Sequence, residues 1–442
     1  MTKRLSDIVP AGCHTYSKGD ECFPANAPEY LVRGDGCRVI DSKGKKYIDW
    51  GMGLRSVMLG HSFECVNHAV IEAVMEGTNF CRPTLYEQQL AELLVKIIPC
   101  AEMVKFGKSG SDVTSAAVKL ARAYTDKDLV YVAKENPFIS QHDWFIGTTA
   151  TNGGIPRDET VRQYSYSNLL EKQFDLWDEN DTKVTEIEFR AMQGNLAAIV
   201  LDPATVEITK EKLEHIWDIC TKYGAVFILD EMISGFRYNL GGVQSLYGVT
   251  PDLSTFGKAI ANGFSTSALC GKREIMQLGD REFGNVFLLS GTYNAETPAL
   301  AAAISNIEFM MDNAVVGHTN QIGRFLVRGI RDKIKVYGLE DYMSIKCHGA
   351  EGTKYIEGAN PSMSFRNMET KTIFDQHMIE CGILMPYIAP SYSHTLQDVE
   401  RTILAADYAM KMLLKANHGN NIHSYIMEDW VEKPVFRKSG KV

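Results

Sequence analysis

Residues 196–201 and 225–229 contain no polar side chain, and the segment between them, Lys210–Tyr223, has helical periodicity and stops at Gly224. A strand that is apolar on both sides needs cover on both sides. Short, wholly apolar strands set between helices therefore predict a parallel sheet with helices on each face, an α/β fold. The same alternation appears upstream. Residues 103–106 form a short apolar run, 113–124 are helical in pattern, and 129–133 read as a strand. Helical periodicity also marks 66–75 and 86–98. In sheets of this kind ligands bind beyond the carboxyl ends of the strands, so the chemistry is expected just after these runs.

The two ends of the chain look different. The first 60 residues are rich in glycine, with short strand-like pieces such as 47–50 and a hairpin turn at 41–46. From about Thr297 the chain is helical, then strand-like at 383–386 and helical again at 396–415. Residues 417–442 are polar and irregular and read as a surface tail. With 442 residues there is room for one large domain and a smaller companion. A net charge of −9 without a basic stripe argues against a duplex-binding protein, and the few basic residues at 437–441 read as a solvated end. The ten cysteines show no CxxC pair and read as reduced thiols of a cytoplasmic protein. The N-terminus has no apolar signal-peptide core, and no run approaches a membrane span.

Three short segments carry chemistry. Asp230 directly follows the apolar run 225–229, where a carboxylate is costly unless a cation meets it. A protonated pyridine nitrogen is one such cation; an ordinary strand-end cap is the plainer alternative. Lys258 stands in Thr255-Phe-Gly-Lys-Ala-Ile-Ala-Asn-Gly263, between apolar and small residues, where an amine with a lowered pKa could attack an aldehyde. Most lysines are simply surface residues. Val104-Lys-Phe-Gly-Lys-Ser-Gly-Ser-Asp112 reads as strand, turn and helix, with Gly110 and Ser111 placed to offer N–H groups to a phosphate. It is not a P-loop, because Glu102 stands where that motif needs glycine. No Gly-x-Gly-x-x-Gly follows a strand, which excludes the dehydrogenase fingerprint.

Phosphate turn, strand-end Asp and Lys occur in that order. The stretch Asp230-Glu-Met-Ile-Ser-Gly-Phe-Arg-Tyr-Asn-Leu-Gly-Gly-Val-Gln-Ser-Leu-Tyr-Gly-Val-Thr-Pro-Asp252 closely resembles the glutamate-1-semialdehyde aminomutase branch of class-III aminotransferases, and the resemblance runs from Ile8 to Thr395. It implies a PLP-dependent transferase of fold type I. The mostly parallel sheet would lie in a large domain at 63–300, with a smaller domain built from 1–62 and 301–442. It implies pyridoxal 5'-phosphate (PLP) as cofactor, held by Lys258 as a Schiff base, with Asp230 on the pyridine nitrogen. Met232 would replace the usual Val on one ring face and Phe138 would stack on the other. Gly110 and Ser111 would bind the phosphate. Thr292, in Ser290-Gly-Thr-Tyr293, would reach the phosphate of the neighbouring subunit, which implies a homodimer with shared active sites.

The departures from that branch bear on substrate. Lys18 stands where the aminomutase has the Arg that holds the substrate carboxylate, and Lys cannot offer a bidentate fork. Arg55 appears in Gly53-Leu-Arg55, where the aminomutase has Gly in its substrate wall. Phe138-Ile-Ser-Gln141 replaces Tyr-His-Gly-Trp, Lys108 replaces Asn, and Asp202-Pro203 replaces Glu-Pro. Arg55 is thus the expected anion anchor, with Arg237 a second candidate and pairing of Arg55 with Asp49 or Glu64 the structural alternative. The segments around His14–Asp20, Phe23–Pro28, Gly51–Arg55 and Lys433–Arg437 look like a subgroup associated with surface-polysaccharide pathways. The expected activity is transfer of an amino group from a donor, glutamate, to an aldehyde or ketone, with a sugar-derived intermediate as one candidate acceptor. The alternatives are intramolecular transfer, as in the aminomutase, and a non-catalytic assembly or regulatory protein on the same fold.

Overall fold

The computed structural model describes residues 5–156, 161–164, 187–188, 191, 193–206, 208–282, 284–347, 358–418 and 422–435. Near the N-terminus three antiparallel strands follow one another: β1 (Leu31–Asp35), β2 (Arg38–Asp41) and β3 (Lys46–Asp49). The turn between β2 and β3 is closed by Asp41, whose Oδ1 accepts from the N–H groups of Lys43 and Lys45. Gly44 supplies the positive φ of 83° that the turn requires.

The large sheet is built from β4 (Met103–Gly107), β5 (Leu129–Ala133), β6 (Val161–Tyr164), β7 (Leu196–Leu201), β8 (Val226–Asp230), β9 (Leu253–Phe256) and β10 (Ser267–Gly271). Its order is β4-β10-β9-β8-β7-β5-β6, and β10 alone runs antiparallel to its neighbours. The helices are α1 (Glu64–Glu76), α2 (Leu85–Ile97), α3 (Gly110–Thr125), α4 (Lys210–Tyr223), α5 (Thr297–Asp312), α6 (Val315–Tyr337), α7 (Met368–Glu380) and α8 (Leu396–His418), with shorter turns between them. Every residue of β7 and β8 is buried. Phe227 and Leu229 pack with Leu213, Ile216 and Ile219 of α4 on one face. Val226 and Ile228 pack with Val113, Ala117 and Leu120 of α3 on the other. This is the two-sided burial that the apolar runs anticipate.

The smaller unit joins both ends of the chain. Strand β13 (Ile383–Leu384) pairs in parallel with β3, and β11 (Met343–Cys347) pairs with β12 (Pro361–Phe365). Trp50 packs there with Leu326, Phe374, Met410 and Leu413 from α6, α7 and α8. Helix α5 crosses the expected boundary at 300–301, and Leu300, Ala303 and Ile307 pack with Leu90 and Phe256 of the large unit.

The expected surface tail needs correction. Helix α8 runs on to His418, and Ile426 and Glu432 are buried. Glu432 pairs with Lys371 of α7, which also pairs with Asp375 at 2.6 Å. The Lys433 amine reaches Glu21 at 2.9 Å, so this segment straps the N-terminal turns to α7. A polar composition concealed it, because one buried ion pair among many solvated charges has no periodicity. Residues 437–441 lie outside the described residues. Among the described residues no single helix is long and apolar enough to cross a membrane.

Candidate active site

Parallel strands β7, β8 and β9 lie side by side with Leu201 opposite Leu229 and Asp230 opposite Thr255. Asp202, Asp230 and the Gly257-Lys258 step therefore leave the sheet together at its carboxyl edge. Asp230 is 2% exposed. Its Oδ1 accepts from the Thr255 hydroxyl at 2.8 Å and the Met232 N–H at 3.2 Å, and Oδ2 has no hydrogen-bond partner among the described residues. Burial pushes its carboxyl above the usual range, against the pull of Lys258, Thr255 and Met232. Asp202, also 2% exposed, is raised by burial and then by the charge of Asp230. Its Oδ1 accepts from Ala204 N–H at 2.8 Å, and Asn136 clamps its backbone from both sides.

Lys258 opens a short 3-10 turn with φ of 45°. Its Nζ makes no hydrogen bond among the described residues, and burial lowers its pKa while Asp230 and Asp202 oppose that fall. A lowered amine keeps more of its population neutral, the nucleophilic and basic form.

The turn into α3 is pinned. Ser109 and Asp112 form a capping box, and the hydroxyls of Ser265 and Ser267 donate to the carbonyls of Lys108 and Ser109. That leaves the N–H groups of Gly110 and Ser111 without a partner among the described residues, at the positive end of a helix of 16 residues. The Met232 sulfur packs so tightly that a Cβ on Gly110 would sit 2.8 Å from it, and one on Gly257 2.6 Å. Met232 thus bridges the turn and the lysine, and a side chain at either glycine would displace it. Phe138 is 43% exposed and lies edge-on to Phe145, and so is not a core residue. Its segment rests on α3, with Gln141 N–H donating to Ser111 Oγ at 3.0 Å.

Arg55 reaches this edge from the N-terminal part. Its Nε donates to Asn360 Oδ1 at 2.9 Å and its guanidinium lies 4.8 Å over the Tyr387 ring. Asp49 is engaged by His61 and by the N–H groups of Gly51 and Met52, and no carboxylate pairs with Arg55 among the described residues. The expected alternative of an Asp49 or Glu64 partner is therefore wrong. Arg237 is wholly buried and, among the described residues, donates only to carbonyls. Lys18 is exposed on the turn Tyr16–Lys18, with no side-chain contact to this cluster. Thr292 is exposed too; its carbonyl accepts from Asn79, and it lines a cleft of about 570 Å³ with Phe80, Arg82 and Pro83. Asn360 and Tyr387 were not anticipated: a lone Asn and a lone Tyr far along the chain carry no signal until the fold brings them to Arg55.

The unpartnered Asp230 oxygen, the paired free N–H groups at Gly110 and Ser111, and the uncommitted Lys258 amine fit a phosphorylated pyridine aldehyde. Residues 24–352 match the class-III aminotransferase family. Glutamate-1-semialdehyde 2,1-aminomutase 2 of Brevibacillus brevis is 29% identical over 92% of this chain and 96% of its own length. The Glutamate-1-semialdehyde 2,1-aminomutase of Chlorobium luteolum is 30% identical over 94% and 98%. The FumI protein of a Sphingopyxis species, solved in its PLP internal-aldimine form, superposes with a TM-score of 0.80 at 24% identity over 96% and 98% of the two chains. The chain is a PLP-dependent transferase of fold type I, and it belongs to the class-III aminotransferase family.

Proposed function

We propose that this enzyme moves an amino group between two molecules, from glutamate to an aldehyde or ketone, with a polyhydroxylated, sugar-derived carbonyl as acceptor in surface-polysaccharide synthesis. The observation that carries this reading is Arg55: an unpaired guanidinium beside Lys258, from a position where the aminomutase branch has glycine. A donor carboxylate can bind its free fork while its amine meets Lys258. Intramolecular transfer, as the names of the relatives suggest, is the alternative, and Lys18 in place of the branch's Arg weighs against it.

When bound, the cofactor supplies an electron sink for the carbon that loses a proton. Lys258 would hold it covalently, and its amine, lowered by burial, would be the group placed to take and return the proton as general base. Asp230, whose Oδ2 is free, would stabilise positive charge on the cofactor's pyridine nitrogen. Gly110 and Ser111 would hold the cofactor's phosphate through their free N–H groups, and Met232 and Phe138 would pack against its ring. Thr292 completes the phosphate site of a partner subunit in a homodimer. The exposed Phe80, which lines that cleft, and the exposed Tyr293, next to Thr292 in the chain, support such an interface. Residues 1–62 and the chain beyond α5 act as the smaller domain, because α5 packs with the large unit. Ten free thiols support a cytoplasmic location.

The test is a screen of amino donors against aldehyde and keto-sugar acceptors, read by mass analysis of aminated products. Intermolecular transfer from glutamate is expected; conversion of glutamate-1-semialdehyde alone, with no external donor, overturns the reading.

A further inference from the structure

Arg237 is among the largest wholly buried side chains, and no carboxylate faces it among the described residues. Nη1 donates to the Pro390 carbonyl at 3.0 Å and Nη2 to the Arg55 carbonyl at 3.1 Å, while Nε is buried without a partner. An unpaired cation in a core is costly, and a neutral side chain would avoid that cost. What Arg237 holds therefore matters.

The carbonyl it grips ends an unusual turn. Met52, Gly53, Leu54 and Arg55 have φ of 41°, 57°, 58° and 72° in succession, one turn of left-handed helix. For residues with a Cβ this conformation costs roughly 1–2 kcal/mol each. Asp49 Oδ1 holds the start through the N–H groups of Gly51 and Met52. Arg237 holds the end, and through Pro390 it also fixes the segment that brings Tyr387 over the Arg55 guanidinium. Asn360 occupies Arg55 Nε. Side-on pairing, which uses Nε, is thereby closed, and Nη1 with Nη2 remain as an end-on fork for one planar carboxylate.

We infer that Arg237 is a positioning residue: it holds the left-handed turn and the Tyr387 segment so that the Arg55 fork selects partners bearing a carboxylate. The inference rests on Arg55 being the anion anchor. It explains why an arginine sits where it cannot touch substrate.

Two aminooxy probes of the holoenzyme test it without knowledge of the natural substrate. Aminooxyacetate carries a carboxylate and methoxyamine does not, and both react with lysine-bound PLP with a measurable absorbance change. Rates are normalised to those with free PLP. Arg55→Gln and Arg237→Gln are each expected to slow aminooxyacetate about tenfold and methoxyamine less than about twofold, with the double variant no slower than Arg55→Gln alone. If Arg55→Gln leaves aminooxyacetate unchanged, the anchor reading falls and this inference with it. If Arg55→Gln slows it but Arg237→Gln does not, slows both probes equally, or adds to Arg55→Gln, only the positioning role is overturned. Should Arg237→Gln fail to fold, Arg237→Lys keeps the buried charge but cannot reach both carbonyls. A selective loss supports the inference, and no loss or an equal loss on both probes overturns it.

Discussion

Two buried aspartates, one in each unit, behave in opposite ways. Asp398 in the smaller unit has both oxygens filled: Oδ1 by Arg38 at 2.5 Å, Oδ2 by the Thr395 N–H at 3.0 Å, its hydroxyl at 2.7 Å and the Cys37 thiol at 3.5 Å. Burial opposes its ionisation, but Thr395, Arg38 and Cys37 outweigh burial and hold it below the usual carboxylate range. Asp230 at the large sheet's edge is as buried, yet only one of its oxygens is filled, and it is pushed up instead. A carboxylate whose partners all lie in the chain stabilises the fold. One with an empty lone pair in the core costs stability and waits for a partner from outside.

The largest effect should come from Lys258. Borohydride reduction and peptide mapping should place a pyridoxyl group on it, and Lys258→Ala should lose both label and turnover; a label elsewhere with Lys258 untouched would refute the assignment. Next, Asp230→Asn should retain the cofactor through its phosphate contacts but lose turnover by about 10²–10³-fold. Apo-protein stability in urea should not fall. The sign follows from the raised pKa: the stability Asp230 contributes is present below the ordinary carboxylate value and is lost as pH rises through its folded value. Wild-type turnover in Asp230→Asn would reduce the residue to a cap.

Asp398→Asn should do the reverse, lowering stability by about 3 kcal/mol while turnover per folded molecule stays unchanged. Its folded pKa is lowered, so its contribution is present at neutral pH and lost as acid protonates it. Equal stability losses in the two variants would erase the contrast. His394, stacked 4.1 Å from Trp50, sharpens it from the basic side. Burial lowers its pKa to about 4 from 6.5. It folds neutral, so its contribution is full above pH 6.5 and is lost as pH falls towards 4, about 3 kcal/mol in all. Denaturation midpoints across that range should converge with those of His394→Gln at low pH. The smallest effect lies at Arg55. Arg55→Lys should raise the apparent KM for the carboxylate partner about tenfold, and Lys18→Ala less than about twofold, with the bound-cofactor spectrum unchanged in both. Equal or reversed effects would move the anchor.

The sheet was legible because its signal is local. Leu196–Leu201 and Val226–Asp230 are buried on both faces, so every residue repeats the same message, and Lys210–Tyr223 ends where Gly224 takes φ of 59°. That Asp230, Lys258 and the Gly110-Ser111 turn gather at one edge of the sheet was legible for a related reason. Each sits at a fixed offset from a strand end, and parallel strands align those ends. The strap at residues 422–435 was not legible, since its anchor is one ion pair to a helix some 60 residues away in sequence, Lys371 to Glu432.

By itself the amino-acid order determined the layered fold, through its hydrophobic period, and the cofactor class, through the resemblance of the stretch 230–252 to class-III aminotransferases. Only the tertiary structure decided which charges remain unpaired. Arg55 could have met Asp49 on nearby chain; instead Asp49 turned to His61, and Asn360, Tyr387 and Arg237 closed around Arg55 from segments far from it in sequence. Pairing of charge depends on distances of a few ångströms across the whole fold, and no local pattern encodes those.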